Sequence, residues 1–224
     1  MSRSFTHISV VASATMVSRV LGLGRDMLVT AVFGTFAIAS SFYTAFTLPN
    51  LFRRLLGEGA LTAAFVPTLT EELKERRREG AFVLVNEVAS WLSVVSGTIV
   101  VLSMAAISQA DRIAVHAANW GAGPGTLRRW LEAADLAVIL FPYLVFVSLA
   151  AAFSAALQTL QRFLEPALSP IWLNVAMLVT LGGAAFAGWA GTTEGRMLWL
   201  CSGALAGGFL QMTVPAVALV REGW

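Results

Sequence analysis

Charge is scarce in this sequence. Only 12% of its 224 residues are Asp, Glu, Lys or Arg, about half of the ~25% found in soluble domains. With 57% hydrophobic residues and a mean hydropathy of +0.75, the deficit points to a bilayer as the solvent rather than to a large water-soluble core. A net charge of +2, with no interleaving of aromatic and basic residues, excludes the electrostatic footprint of a nucleic-acid-binding protein. The single cysteine, Cys201, excludes an internal disulfide and any multi-cysteine metal site. The two histidines, His7 and His116, lie near the ends of apolar runs and are read as interfacial. No acidic cluster stands at membrane depth, as a metal-dependent enzyme acting on polyprenyl diphosphates would require. Neither a cofactor nor a metal site is therefore expected, and no catalytic constellation is visible.

Long apolar runs are abundant. Leu136–Leu160, Ala167–Gly191 and Met197–Val220 carry no charge, and each exceeds the ~20 residues that cross a hydrocarbon core as a helix. Ala81–Ile107 is a fourth run, interrupted only by Glu87. Ile8–Phe33 is long enough for another, with Gly34 as its stop. Ala37–Leu73 is too long for one straight span, so a break is expected near Gly57-Glu58-Gly59. Arg3 and the Ala12-Ser13-Ala14 box resemble a signal peptide. The apolar segment between them is only about five residues, short of the ~7–15 such a signal needs, so it is read as a retained first span. The expected architecture is all-α: a polytopic membrane protein of about six transmembrane helices forming a single lobe.

Basic residues give the orientation. With the N-terminus cytoplasmic, that side carries seven of them: Arg3, Lys74, Arg76, Arg77, Arg78, Arg162 and Arg221. The outer side carries four, Arg112, Arg128, Arg129 and Arg196. The excess favours both termini inside, and the KERRRE loop supplies most of it. The outer loop NWGAGPGTLRRW is rich in turn residues, and its Trp120 and Trp130 suit an interfacial aromatic belt.

Four of the fifteen basic residues remain at membrane depth: Arg19, Arg25, Arg53 and Arg54. Counting ~1.5 Å per residue from Ile8 puts Arg19 ~17 Å in, near the midplane. Each arginine costs ~2.5–3.5 kcal/mol at the centre of a span. Asp26 and Glu58 can neutralise two, Arg54 and Glu58 being spaced i, i+4. The plain alternative is that such pairs only staple helices together. Yet two positive charges remain unmatched, and intramembrane ionisable residues usually face a water-filled cavity on a substrate path. The planar guanidinium suits phosphate oxygens, so the surplus matches a diphosphate. Arg19 and Arg25 are ~120° apart on a regular helix. They converge on one ligand only in a wide cavity or on a helix distorted at Gly22 and Gly24. In LPNLFRRLLGEGALTAAFVP, Pro49 frees a backbone carbonyl and bends the helix, and Asn50 and Arg53 share a face. Broken helices beside buried charges recur at transporter binding sites.

These two stretches, SRVLGLGRD (Ser18–Asp26) and AFTLPNLFRRLLGEGALTAAFVP (Ala45–Pro67), resemble the first- and second-helix signatures of the MurJ (MviN) family of lipid II flippases. FPYLVFVSLAAAFSAALQTLQRFLEPALSPIWLN (Phe141–Asn174) resembles its fourth and fifth helices. The resemblance runs through essentially the whole chain. It implies the fold of the multidrug/oligosaccharidyl-lipid/polysaccharide exporters, with two lobes around a cationic cavity in the bacterial inner membrane. It implies flipping of lipid II, the lipid-linked peptidoglycan precursor of cell-wall biogenesis, to the outer leaflet by alternating access. The family's cavity arginines fall on Arg19, Arg25 and Arg53, its functional asparagine on Asn50, and its GEGA gate on Glu58, with Asp26 and Arg54 as charge partners. Two departures stand out. Ser40 replaces a common aspartate, so no gating ion pair is carried over there. The family has about fourteen helices, so the chain is expected to be the N-terminal lobe, whose arginines need a C-terminal lobe or a second copy to cover them. The rival readings are an exporter of another lipid-linked oligosaccharide or a drug, and a non-transporting scaffold for cell-wall assembly.

Overall fold

The computed structural model describes the backbone of residues 2–34, 37–58, 60–110, 112 and 123–224, and their side chains except at 2–8, 37, 48, 52–58 and 60–62. Among the described residues the chain is helical, with no strand. Its elements are α1 (Ser2–Phe33), α2 (Ala37–Glu58), α3 (Ala60–Glu75), α4 (Arg77–Ile107), α5 (Pro124–Leu140), α6 (Tyr143–Thr159), α7 (Leu164–Phe186) and α8 (Thr193–Arg221). Helices are what hydrocarbon demands, because each backbone N–H and C=O must find its partner inside its own segment. Hydroxyls obey the same constraint by donating one turn back. Thr47 Oγ1 donates to the Tyr43 carbonyl at 2.6 Å, and Ser148 Oγ to that of Leu144 at 2.7 Å.

The breaks have identifiable causes. Gly34, at φ 62°, closes α1 in the left-handed conformation, its N–H donating to the Thr30 carbonyl at 2.8 Å. The apolar run Leu136–Leu160 is shared by α5 and α6, bent by 47° where Pro142 supplies no N–H to continue the ladder. Arg77 (φ 58°) turns the chain between α3 and α4, and Gln161 (φ 62°) turns it between α6 and α7. Prolines also stand inside four helices: Pro49 in α2, Pro67 in α3, Pro170 in α7 and Pro215 in α8.

By length and composition α4, α7 and α8 are each able to cross a membrane, and the bent α5–α6 pair would make a fourth crossing. α1 and α2, 32 and 22 residues long, are not in that set. They carry Arg19, Arg25, Asp26, Arg53, Arg54 and Glu58.

Packing is densest between α7 and α8, with α1 laid along α7 and α6 along α8. Glycine allows the first contact. A Cβ on Gly207 would stand 2.7 Å from Leu173 Cα, and one on Gly203 would strike Thr180 and the Met177 backbone. Gly203 and Gly207 form a GxxxG pair, which lets membrane helices approach to backbone distance. α2 packs on α5 and α6, and α3 on α4 and α6. Two apolar cores result. One gathers Phe33, Phe42, Leu140, Tyr143, Met177 and Leu200, and the other Phe65, Leu69, Val85, Phe153, Leu157 and Leu219.

The end of the second core is tied by charge. Glu222 pairs with Arg78 (3.3 Å) and Arg162 (2.9 Å), and Trp224 Nε1 donates to Asn86 Oδ1 at 3.0 Å. Outward faces carry large apolar residues, among them Met16, Val20, Trp91, Leu102 and Phe186, as a lipid-facing surface requires.

Candidate functional site

Arg25 is the centre of a polar cluster on the inner side of α1. Its Nε and Nη2 donate to Asp26 Oδ1 at 3.0 and 2.8 Å. Adjacent helical residues project ~100° apart, so the pair closes only because the long arginine stem folds back along the helix. The arginine side chain is 21% exposed and the aspartate 50% exposed, so the cation is the more sheltered partner. Its Nη1 donates to Asn174 Oδ1 on α7 at 3.0 Å, and Asn174 Nδ2 donates to the Ser18 carbonyl at 3.1 Å. From α2, the Tyr43 hydroxyl donates to Asp26 Oδ1 at 3.4 Å. Three helices thus meet at one ion pair, the arrangement in which a charge is tolerated within a bundle.

The remaining sequence-derived residues fall as follows. Arg19 is exposed and makes no hydrogen bond or ion pair among the described residues. α1 runs as unbroken α-helix through Gly22 and Gly24. Arg25 therefore turns toward α7 while Arg19, ~120° around the helix, points elsewhere. Asn50 is half-buried in α2 beside the buried Pro49. Arg53, Arg54 and Glu58 belong to the last turns of α2, and their side chains lie outside the described residues. Ser40 is exposed, and its carbonyl accepts from Thr44 Oγ1 at 2.9 Å. His116 and Trp120 lie outside the described residues. Among the described residues, no group of three or more His, Cys, Asp or Glu side chains is placed to hold a metal ion.

Sequence reasoning passed over two members of the cluster. Asn174 is an amide inside the charge-free run Ala167–Gly191, and a lone carboxamide in such a run is a signal in itself. Tyr43 is one of only two tyrosines in the chain. The other, Tyr143, is fully buried and donates to Gln211 Oε1 at 3.1 Å, while Gln211 Nε2 donates to the Ser169 carbonyl at 2.9 Å. A second polar junction thereby joins α6, α7 and α8.

Long apolar helices joined by glycine contacts, with an arginine ion pair contacted by three of them, define a polytopic helical membrane bundle. Comparison with known proteins identifies the kind. A family model described as "Lipid II flippase MurJ" matches residues 29–224. The "probable lipid II flippase MurJ" of Rhizobium tropici is 35% identical over 217 residues, covering 95% of this chain and 39% of that protein. The "lipid II flippase MurJ" of Burkholderia cenocepacia is 35% identical over 174 residues, covering 78% of this chain and 33% of that protein. A solved structure, "Lipid II flippase MurJ, inward closed conformation", superposes with a TM-score of 0.64 at 24% identity, over 94% of this chain and 42% of the other.

The chain belongs to the MurJ family, whose members are transporters of the bacterial inner membrane and not enzymes. It spans about two-fifths of the length of the curated relatives it matches.

Proposed function

We propose that this chain forms one lobe of a lipid II flippase, and that it helps carry the lipid-linked peptidoglycan precursor from the cytoplasmic to the outer leaflet by alternating access. The observation that carries the reading is the family match over residues 29–224. In this mechanism the diphosphate of the lipid-linked disaccharide-pentapeptide docks on Arg19, Arg25 and Arg53, with Asn50 contributing a hydrogen bond. Guanidinium groups are suited to this because they bind phosphate oxygens in pairs and stay charged throughout. Asp26, Arg54 and Glu58 balance charge and gate. The polyprenyl tail stays in lipid, and no covalent step is involved.

In the same reading the lobe has six spans, about 8–33, 37–73 broken near 57–59, 81–107, 136–160, 167–191 and 197–220. Both termini are cytoplasmic, as the excess of basic residues on that side favours. An exposed arginine such as Arg19 is costly against lipid, so the cavity is completed by a second lobe or a second copy.

The test is rescue of bacteria depleted of their own lipid II flippase. The chain is expressed alone and together with the remaining part of a full-length relative, and its insertion is verified in the same cells. Rescue that is lost on Arg53→Ala is expected. Rescue untouched by Arg53→Ala would favour a scaffold, and failure of both forms despite insertion would refute the assignment.

A further inference from the structure

Asn174 grips α1 at two places. Its Nδ2 donates to the Ser18 carbonyl and its Oδ1 accepts from Arg25 Nη1, two helical turns further on. Gly22 lies between these points. A Cβ there would sit 3.6 Å from Asn174 Nδ2 and 3.9 Å from Oδ1, in van der Waals contact, so the amide packs directly over this glycine. The amide is itself only 7% exposed. Arg25 needs such a guide because its anionic partner is the neighbouring residue. The carboxylate one residue away holds one edge of the guanidinium through Nε and Nη2 but gives it no anchor outside α1.

With Asp26 on one edge and Asn174 on Nη1, three of the five guanidinium N–H donors are engaged from two directions and the plane of the group is set. The remaining donors then present a fixed pair of directions to an anion. Orienting a cation with a neutral amide is also chemically distinct from orienting it with a second carboxylate. The amide fixes the group without adding negative charge, whereas a second carboxylate would leave the site net negative and repel an anion.

We infer that Asn174 is a positioning residue for Arg25, holding its guanidinium in the orientation that receives the diphosphate. The last clause rests on the flippase reading; the positioning itself does not. Two measurements on the 224-residue chain in detergent separate them. The first is the rate at which phenylglyoxal modifies Arg25, followed by mass spectrometry with exposed Arg19 as internal reference. Asn174→Leu should raise the Arg25 rate about tenfold relative to Arg19. Asn174→Asp, which keeps an acceptor for Arg25, should leave it low.

The second is binding of farnesyl diphosphate in a double-mutant cycle with Arg25→Ala. Asn174→Leu should weaken binding about tenfold when Arg25 is present, consistent with loss of one charge-assisted hydrogen bond, and have no further effect once Arg25 is gone. Asn174→Asp should weaken binding at least as much while Arg25 stays protected. Unchanged Arg25 reactivity in Asn174→Leu, with helix content retained, overturns the positioning role. So does a binding loss that is equal with and without Arg25. Heightened Arg25 reactivity in a chain that binds no diphosphate upholds the positioning and counts only against docking of the diphosphate on this lobe by itself.

Discussion

Replacing Gly207 by alanine tests the idea that backbone contact, rather than side-chain burial, holds α7 to α8. The added Cβ would lie 2.7 Å from Leu173 Cα, 3.0 Å from Leu173 Cδ1 and 3.3 Å from Ala176 Cβ. The side-chain atoms can yield, but the Leu173 backbone moves only if the helices part, and the contact must open by about 1 Å to reach ordinary carbon–carbon separation. Overpacking of this kind costs about 1–3 kcal/mol, and here it strikes the most extensive helix pair in the chain. At ~2–4 °C per kcal/mol for a chain of this size, thermal unfolding in detergent should come about 2–12 °C earlier. Gly97 in α4 is the control, because a Cβ there would meet nothing within 4 Å. Gly97→Ala should be neutral or stabilising by up to about 1 kcal/mol, the helix-propensity difference between the two residues. Equal behaviour of the two variants, by circular dichroism melting or by exchange of amides across α7 and α8, would refute the reasoning.

The two arginines of α1 should separate stability from activity. Arg25→Ala strips Asp26 and Asn174 of a shared partner and should lower stability by about 1–3 kcal/mol, whereas exposed and unpaired Arg19→Ala should leave the melting temperature in place; both should abolish rescue of flippase-depleted cells. Equal melting losses would contradict the geometry. Gln211→Leu removes the hydrogen bonds that Gln211 makes with the Tyr143 hydroxyl and the Ser169 carbonyl, for a loss of about 1–3 kcal/mol. Adding Tyr143→Phe should recover part of that loss, which a thermal double-mutant cycle will read; strict additivity would mean that the hydrogen bond is not the cause. Glu222→Gln breaks the pairs with Arg78 and Arg162. Both arginines are more than a third exposed, so the loss should stay within about 1 kcal/mol per pair and shrink as salt is raised. A loss that salt does not change would point to packing by Trp224 instead.

Much of this protein is written locally. Scarce charge and long apolar runs demand helices, because an isolated segment in hydrocarbon has no other way to pair its backbone. Gly34 ends α1 through its own φ angle and is legible without the rest of the chain, whereas the run Leu136–Leu160, read as one span, is bent by 47° at Pro142. Asp26 can be named from the sequence as a charge that offsets a buried arginine, but its pairing with the adjacent Arg25 depends on the arginine stem folding back along α1. Distance in sequence hides the remainder. Asn174 is 149 residues from Arg25, and only the laying of α7 along α1 makes it that arginine's second acceptor. The GxxxG of α8 states that some helix will come close, but not that Leu173 of α7 is what arrives. Arg19 and Arg25 appear in one short motif as a single cationic set. An unbroken α1 sends them to different surroundings, one clasped by α7 and the other exposed, because a regular helix preserves its 100° per residue wherever nothing distorts it.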